Sequence, residues 1–292
     1  MTGTILRGIG GFYTVMDEEG NTHQLRAQAK IRRVKLTPLV GDKVEFEPAG
    51  GDQDGWLKEI LPRRNSLVRP SVANIDVIVL VAAPASPKID TMLIDRLLIC
   101  AEQANIPAML VINKCDLDAE AAEDIERRYS ACSIPVFKVS AKEGRGVESV
   151  KAYLKGKTHA FGGQSGVGKS SLINALYGLE LTVGNVSSKI ERGKHTTRRC
   201  ELIEVEGGGR VLDTPGFSLL ETELIEPKLV ASLYPEFRPY EGKCRFSPCY
   251  HAGEPDCAVK EALEMGMFPI ERYEGYLEIL NEMKERWKNR YD

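Results

Sequence analysis

The sequence predicts a multidomain α/β protein in three parts: an N-terminal OB-fold β-barrel over residues 1–68, a doubly wound α/β sheet over 69–221, and a helical metal-binding domain over 222–292. Short strands with glycine-rich turns fill the first part. In the second, continuous apolar runs alternate with helix-periodic stretches, as in a parallel sheet covered by helices on both faces. Clustered cysteines and then a helical pattern mark the third.

The composition is that of a globular protein without an extreme charge. A chain of 292 residues is long enough for about two domains or more. Its net charge of −3 means that any surface for nucleic acid must be local. Seven cysteines, an odd number, argue against a disulfide framework. The N-terminus has no signal-peptide pattern and no apolar run has membrane-spanning length, so we expect a cytoplasmic protein that contacts no membrane.

The first part carries a candidate RNA-binding surface. Strands are predicted near residues 5–15, 24–30, 44–47 and 56–61. Basic side chains cluster in and after the second strand and at the exit from this part: Arg26, Lys30, Arg32, Arg33, Lys35, Arg63, Arg64 and Arg69. OB-folds bind oligonucleotides through a basic face, so this stretch could bind RNA. A solvated charged edge is the alternative.

Four short motifs follow the strands of the second part. Asn113-Lys114-Cys115-Asp116 comes first and Ser140-Ala141-Lys142 second. The phosphate loop Gly163-Gln164-Ser165-Gly166-Val167-Gly168-Lys169-Ser170 is third, and Asp213-Thr214-Pro215-Gly216 is last. Together they indicate a GTP site. Because the phosphate loop leads in a GTPase of ordinary chain order, this order indicates a circularly permuted P-loop GTPase domain.

The phosphate loop and the helix after it form the predicted phosphate and magnesium site. Glycines let the backbone approach the phosphates, and the loop N–H groups and helix N-terminus face the anion. The predicted nucleotide contacts of this segment are Gly163, Gln164, Ser165, Gly166, Val167, Gly168, Lys169, Ser170 and Ser171. Lys169 would reach the β- and γ-phosphates, and the Ser170 hydroxyl would bind Mg²⁺.

Two further motifs complete the predicted nucleotide site. Asp213 would hold the water shell of Mg²⁺ and the Gly216 N–H would meet the γ-phosphate; an ordinary Asp-Pro-Gly turn is the alternative. The Asp116 carboxylate can accept from N1–H and the 2-amino group of guanine, donors that adenine lacks. The remaining predicted base contacts are Asn113 and Lys114, which brace the loop and cover the ring, and Ser140, Ala141 and Lys142, where the Ala141 N–H would face guanine O6.

Residues 186–199 have the length and position of a switch loop. Thr196 or Thr197 could bind Mg²⁺ when the γ-phosphate is present, and Thr197 is the predicted ligand. Phe217 stands where many GTPases place the glutamine that orients water. We therefore predict that His195 supplies the missing polar group and acts with Lys169, Thr196 and Thr197. A solvent-exposed loop histidine is the alternative.

The third part contains a candidate zinc site. Cys244-x4-Cys249-x-His251-x5-Cys257 offers three thiolates and one imidazole. Four such ligands close a tetrahedral shell, which predicts a structural rather than a catalytic Zn²⁺. Unrelated buried cysteines are the alternative. Farther on, the spacing of Tyr276, Leu280, Met283 and Trp287 predicts one apolar helix face, either packed on the domain or docking a partner.

The motif order, the preceding β domain and the Cys/His cluster together resemble the RsgA family, also called YjeQ or YloQ, of ribosome-small-subunit-dependent GTPases. The resemblance covers essentially the whole chain. Gly193-Lys194-His195-Thr196-Thr197 is similar to the family's Gly-x-His-Thr-Thr switch element, and Phe217 matches its lack of the catalytic glutamine. Arg198 departs from the third threonine often seen there.

The resemblance implies a slow, ribosome-stimulated GTPase that binds the 30S subunit and 16S rRNA in late small-subunit maturation, with hydrolysis driving release. It implies GTP or GDP, Mg²⁺ and one structural Zn²⁺ as cofactors, and we expect a monomer. Two alternatives stay open: a nucleotide-gated RNA-binding zinc protein with negligible turnover, and a permuted GTPase that acts on the large subunit.

Overall fold

The structure is a computed structural model that describes residues 1–28, 37–50, 55–68, 70–179, 200–213 and 224–290. The predicted multidomain α/β architecture is confirmed: a β-barrel, a central sheet with helices, and a C-terminal helical region. Several predicted residues lie outside these ranges: Lys30, Arg32, Arg33, Lys35, Arg69, His195, Thr196, Thr197, Gly216 and Phe217. Across the ranges covered, none of the helices combines the length and the apolar character that crossing a membrane requires.

The N-terminal strands close into a five-stranded barrel. They are β1 (Thr2–Ile9), β2 (Phe12–Asp17), β3 (Thr22–Ala27), β4 (Lys43–Glu47) and β5 (Gly55–Ile60). Each strand pairs with the next in the order β1-β2-β3-β5-β4, and β4 pairs back with β1. Because side chains alternate across a strand, one set fills the barrel and the other faces solvent. Ile5, Val15, Leu25, Phe46 and Leu57 form part of that core.

The central sheet places the nucleotide motifs along one edge. Its strands are β8 (Val77–Ala82), β9 (Ala108–Ile112), β10 (Val136–Lys138), β11 (Thr158–Gly162), β12 (Glu201–Val205) and β13 (Gly209–Asp213). The order is β10-β9-β8-β11-β13-β12, parallel except for β12. The helices are α1 (Thr91–Gln103), α2 (Ala119–Tyr129), α3 (Val147–Leu154) and α4 (Lys169–Tyr177). Ligands of such sheets bind at the carboxyl ends of the parallel strands.

Alternation along β8 explains how both faces of this sheet are covered. Ile78 and Leu80 pack in the cluster that includes α1 and α2 side chains. Val79 and Val81 pack in the cluster that includes α3 and α4 side chains. The barrel joins the sheet through pairing of β1 with β12, and through the short hairpin of β6 (Ser66–Leu67) and β7 (Val72–Ala73).

The C-terminal region ends in two helices, α5 (Ala258–Glu264) and α6 (Ile270–Lys288). Tyr276, Leu280 and Met283 are fully buried, and Trp287 is half-buried. The predicted apolar face of this helix therefore packs within its own domain and does not present a docking surface. The same cluster takes in Ile99 of α1, so the C-terminal core reaches the central sheet's first helix.

A buried ionic network fixes α6 on α1. The Arg272 guanidinium donates to Asp95 Oδ1 at 2.6 Å and to Glu236 Oε1 at 2.7 Å, and all three side chains are buried. A Cβ at Gly275 would lie 2.3 Å from Asp95 Oδ2, so only glycine permits this approach. Breaking such a buried pair is strongly destabilising, because one charge would remain without a partner. The two domains therefore meet in one defined orientation.

Candidate functional site

The phosphate loop leaves β11 at the centre of the sheet and leads into α4. Gly163 has φ of +137°, and a Cβ there would lie 2.2 Å from the Val81 carbonyl oxygen. Gly168 has φ of +93°, and a Cβ there would lie 2.4 Å from Nδ2 of Asn113. Both positions require glycine, for backbone conformation and for space. The loop thus fits the sheet only with its glycine pattern.

Lys169 places a buried positive charge in the phosphate loop. Its Nζ donates to the carbonyl oxygens of Gly163 and Gln164, each at 2.7 Å. Burial lowers the pKa of Lys169 to about 8. Among the described residues this ammonium contacts no carboxylate, so an anion in the loop would supply its missing counter-charge. The residues present therefore fit a bound phosphate.

Asn113 joins the phosphate loop to the two base-reading motifs. Its Nδ2 donates to the Val167 carbonyl oxygen at 2.9 Å, and its Oδ1 accepts from the Ala141 N–H at 3.0 Å. The side chain is 2 % exposed. The Ala141 N–H, predicted to face guanine O6, is therefore bonded to Asn113, and a base would have to share it. Residues 113, 141 and 167 come from three separate loops, which this single amide holds together.

Lys114 braces the phosphate loop from the other side. The Lys114 backbone has a φ of +64°. Its side-chain Nζ donates to the carbonyl oxygens of Ser86 at 2.5 Å and of Gly166 at 2.8 Å. Ser86 lies in the loop between β8 and α1, a segment that sequence reasoning did not assign to the site. Only the position of this loop in the sequence could have indicated that it belongs to the site. It follows a buried parallel strand whose carboxyl end lies beside the other motifs.

The surroundings of Asp116 favour its ionised form. A hydrogen bond from the Ser140 hydroxyl is the main cause that lowers the pKa of the Asp116 carboxyl, with smaller contributions from Lys142 and Arg145. An ionised carboxylate accepts from both ring N–H and amino donors. Ser140, predicted only as part of a weak three-residue motif, thus has a definite electrostatic effect on the residue that would read guanine.

The backbone places two of the predicted magnesium ligands on neighbouring elements. Ser170 is the second residue of α4, and Asp213 is the last residue of β13. Strand β13 lies parallel to β11, with Ala160 opposite Leu212, so Asp213 ends beside the start of the phosphate loop. Hydroxyl and carboxylate oxygens suit Mg²⁺. The third predicted ligand, Thr197, lies outside the described residues.

The predicted zinc ligands converge in the C-terminal region. The ligand atoms of Cys244, Cys249, His251 and Cys257 all lie within 4.8 Å of one another. Cys257 Sγ is 3.9 Å from Cys244 Sγ and 3.8 Å from Cys249 Sγ, and His251 Nδ1 is 3.3 Å from Cys257 Sγ. A tetrahedron with Zn–S bonds of about 2.3 Å has S–S edges of about 3.8 Å. The spacing therefore fits one tetrahedral ion.

The loop that carries these ligands is held by α6 and by one carboxylate. Tyr273 and Tyr276 donate their hydroxyls to the carbonyl oxygens of His251 and Tyr250 at 2.6 and 2.5 Å. Glu254 accepts from the N–H groups of Tyr250, Ala252 and Gly253. Burial by itself would raise the pKa of Glu254, but these donors lower it to about 2. The sequence motif predicted the four ligands, but it did not predict that Tyr273, Tyr276 and Glu254 hold their loop.

Comparison with known families matches two family models to the chain: the RsgA N-terminal domain over residues 2–57 and the RsgA GTPase over residues 60–223. A protein of Caldanaerobacter subterraneus subsp. tengcongensis, named small ribosomal subunit biogenesis GTPase RsgA, is 43% identical over 99% of this chain and 98% of its own length. A protein of the same name from Geobacillus kaustophilus is 44% identical over 99% of both chains.

Solved structures agree with these matches. The crystal structure of YjeQ from Thermotoga maritima superposes with a TM-score of 0.82 at 37% identity, covering 97% of this chain and 98% of that one. The structure of YloQ, described as a circularly permuted GTPase, gives a TM-score of 0.81 at 37% identity, covering 98% and 95%. The circular permutation predicted from the motif order is confirmed.

The contact between Gly168 and Asn113 generates a test. Gly168→Ala should weaken GDP binding at least about tenfold, because the added Cβ displaces the amide that joins the three loops. Gly178→Ala is the matched control: that glycine also has positive φ, but a Cβ there meets nothing within 4 Å. Titration with a fluorescent GDP analogue measures both. Equal affinities for the two variants would show that the Asn113 contact does not organise the site.

Proposed function

The chain belongs to the RsgA family, and we propose that it is a GTPase that binds the 30S ribosomal subunit and hydrolyses GTP during late small-subunit maturation, with hydrolysis driving release. The family is one of GTP-hydrolysing enzymes, so guanine nucleotide and Mg²⁺ are its implied ligands. The observation that carries the proposal is the convergence on Asn113 of the phosphate loop and the motifs at residues 113–116 and 140–142. Relatives named for small-subunit biogenesis support the ribosomal partner.

Guanine selectivity rests on Asp116. Its ionised carboxylate would accept from N1–H and the 2-amino group, while adenine would leave the carboxylate without donors. Asn113 and Lys114 would hold the loop against the ring, and the Ala141 N–H would share its hydrogen bond with O6. Lys142 would lie beside the base, completing the second motif.

Phosphate binding rests on the loop from Gly163 to Ser171. Its N–H groups and the start of α4 would face the phosphate oxygens, and Lys169 would leave its carbonyl partners for the β- and γ-phosphates. Ser170, Asp213 and Thr197 would hold Mg²⁺. Mg²⁺ held there would supply positive charge that offsets the negative charge developing on the phosphate oxygens. The Gly216 N–H would sense the γ-phosphate.

Hydrolysis needs a group to position water, and Phe217 cannot do so. His195 is the proposed substitute, with Thr196 and Thr197 beside it and Lys169 stabilising charge on the transferred group. We expect a slow intrinsic rate, because Phe217 cannot orient water and contact with the bound particle would have to place the His195 side chain. The barrel and the Cys/His domain would supply that contact.

The barrel carries a platform suited to unpaired RNA bases. Phe12, Arg26 and Trp56, here called the barrel platform, face one another across β2, β3 and β5. The Arg26 guanidinium lies over the Phe12 ring at 4.7 Å, and the two aromatic side chains are 47 % and 37 % exposed. Exposed aromatic rings beside an arginine bind single-stranded nucleic acid by stacking and charge. We assign 16S rRNA contact to this surface.

The remaining assignments follow from the three parts of the chain. Residues 1–68 would bind RNA, 69–221 would bind and hydrolyse GTP, and 222–292 would hold one structural Zn²⁺. We propose a monomer that acts in the cytoplasm, where ribosomal subunits mature.

The first test is single-turnover GTP hydrolysis, alone and with purified 30S or 50S subunits. We expect stimulation by 30S only, and we expect His195→Ala to lower the stimulated rate about a hundredfold with unchanged GDP affinity, as for loss of a catalytic acid–base group. Stimulation by 50S would support large-subunit action instead. Nucleotide-dependent 30S binding without hydrolysis would support the nucleotide-gated RNA-binding alternative.

The barrel platform makes a second prediction. Trp56→Ala and Phe12→Ala should each weaken 30S binding about tenfold, because stacking contributes about 1–3 kcal/mol per base. Trp56→Phe retains a ring and should bind nearly as wild type. Leu229→Ala is the control, because it removes an apolar side chain about as exposed as Phe12 from another region. Sedimentation at several salt concentrations measures these affinities. Equal affinities of Trp56→Ala and Trp56→Phe, or of Phe12→Ala and the wild type, would exclude stacking at that position.

Metal removal makes a third prediction. Cys249→Ser, or chelation of the wild type, should remove one Zn²⁺ per chain and increase amide exchange in residues 244–257, since the ion substitutes for a core there. GDP binding should persist. Cys100→Ser, a buried thiol outside the cluster, should keep the metal. Metal analysis with hydrogen exchange measures both, and unchanged circular dichroism and thermal unfolding after metal removal would refute a structural role.

A further inference from the structure

A surface groove lies between the end of α2 and the turn that joins α5 to α6. It encloses about 670 Å³. The side chains that matter to its chemistry are Arg127, Leu263, Glu264, Met267, Ile270 and Glu271, which together define the α5–α6 groove. It lies outside the nucleotide site, the Cys/His cluster and the barrel platform, and none of the roles above uses it.

Three large apolar side chains are exposed in the groove or directly beside it. Met267 is 61 % exposed and Ile270 50 %, and the adjacent Met265 is 76 % exposed. These are three of the twelve exposed large hydrophobic side chains in the described part of the chain, and they fall within six residues. Contiguous exposed apolar side chains bordered by polar groups mark interaction sites. Methionine is common at such sites because its flexible thioether adapts to a partner.

The unneutralised charges at this groove are acidic. Glu264 and Glu271 form no ion pair with any residue that the structure describes, whereas Arg127 is paired with Asp124 at 2.8 Å. Glu264 is the last residue of α5, where a carboxylate opposes the helix dipole. A cationic group bound beside Glu264 would offset this unfavourable interaction.

The groove is preformed. Phe268, between Met267 and Ile270, is buried in the C-terminal core, and Arg128 Nη2 donates to the Glu271 carbonyl oxygen at 3.0 Å from across the domain boundary. The neighbouring Arg272 is fixed by the buried network with Asp95 and Glu236. A rigid wall loses little freedom on binding, which favours recognition of a defined segment.

We propose that the α5–α6 groove binds a basic, amphipathic protein segment of the small-subunit particle; this inference rests on the proposed 30S function. An apolar side chain of the segment packs between Met267 and Ile270, and flanking lysine or arginine side chains pair with Glu264 and Glu271. RNA is the wrong partner here, because phosphates would approach two unpaired carboxylates. The two proposed contacts thus differ in kind, with RNA at the barrel platform and a protein segment at the α5–α6 groove.

Charge reversal separates these two classes of partner. The double variant Glu264→Lys with Glu271→Lys should weaken 30S binding about tenfold or more if the partner is basic protein. The control Glu278→Lys with Glu285→Lys makes the same change in net charge at exposed positions of α6 outside the groove. It should bind 30S at least as well as wild type. Tighter binding by the groove variant would indicate RNA and overturn the proposal.

A second measurement identifies the contacted molecule directly. Met267 is replaced by the photo-cross-linking residue p-benzoylphenylalanine, and the complex with purified 30S is irradiated. A cross-link to a lysine- or arginine-rich segment of a ribosomal protein is expected, and a cross-link only to 16S rRNA contradicts the assignment. If wild type binds 30S but the groove variant binds equally, the groove assignment alone fails. If wild type does not bind 30S, the proposed function fails as well.

Discussion

The nucleotide site depends on one buried amide. Asn113 donates to the phosphate loop at Val167 and accepts from the loop at Ala141, and its side chain is almost completely buried. Three loops far apart in sequence are therefore positioned by two hydrogen bonds at the carboxyl edge of a parallel sheet. Chain order is irrelevant to this arrangement, because the edge is defined by strand packing and not by the sequence in which the strands are made. This is why the motifs can be permuted while the site persists.

Permutation changes what the site is attached to. The barrel leads into β8, one strand from the phosphate loop, and β13 leads toward the C-terminal domain. That domain is also fixed by Arg272, whose guanidinium meets Asp95 of α1 and Glu236. Replacement of buried ion pairs by apolar side chains is often neutral or stabilising, so stability alone is a weak reason to keep this one. Its directional hydrogen bonds instead define a single orientation between α1 and α6, which apolar packing alone would define less sharply.

Features carried by neighbouring residues could be predicted from the sequence, and features carried by distant pairs could not. The phosphate loop, the guanine motif and the four metal ligands are local patterns whose chemistry is evident from spacing. The continuous apolar run at 77–81 likewise predicted the strand observed at Val77–Ala82. The Arg272–Asp95 pair spans 177 positions and has no local signal. The barrel platform could not be predicted without the strand register, because Phe12 and Trp56 become neighbours of Arg26 only when β2, β3 and β5 pair. The Ala141 N–H was assigned to the base because sequence cannot reveal that Asn113 competes for it.

The placement of the loop between β8 and α1 suggests how these parts could communicate. Its Ser86 carbonyl accepts from Lys114, which also holds Gly166 of the phosphate loop. The same loop ends at Asp90, whose carboxylate accepts from the Leu93 N–H and so begins α1. One turn farther, Asp95 accepts a hydrogen bond from Arg272 of the C-terminal domain.

A displacement of the phosphate loop would therefore reach the C-terminal domain through α1, a helix of only 13 residues, independently of the chain that follows β13. If the barrel and the C-terminal domain contact one particle as proposed above, a small change in that helix would strain one contact against the other. Release after GTP hydrolysis would then require neither domain to unfold.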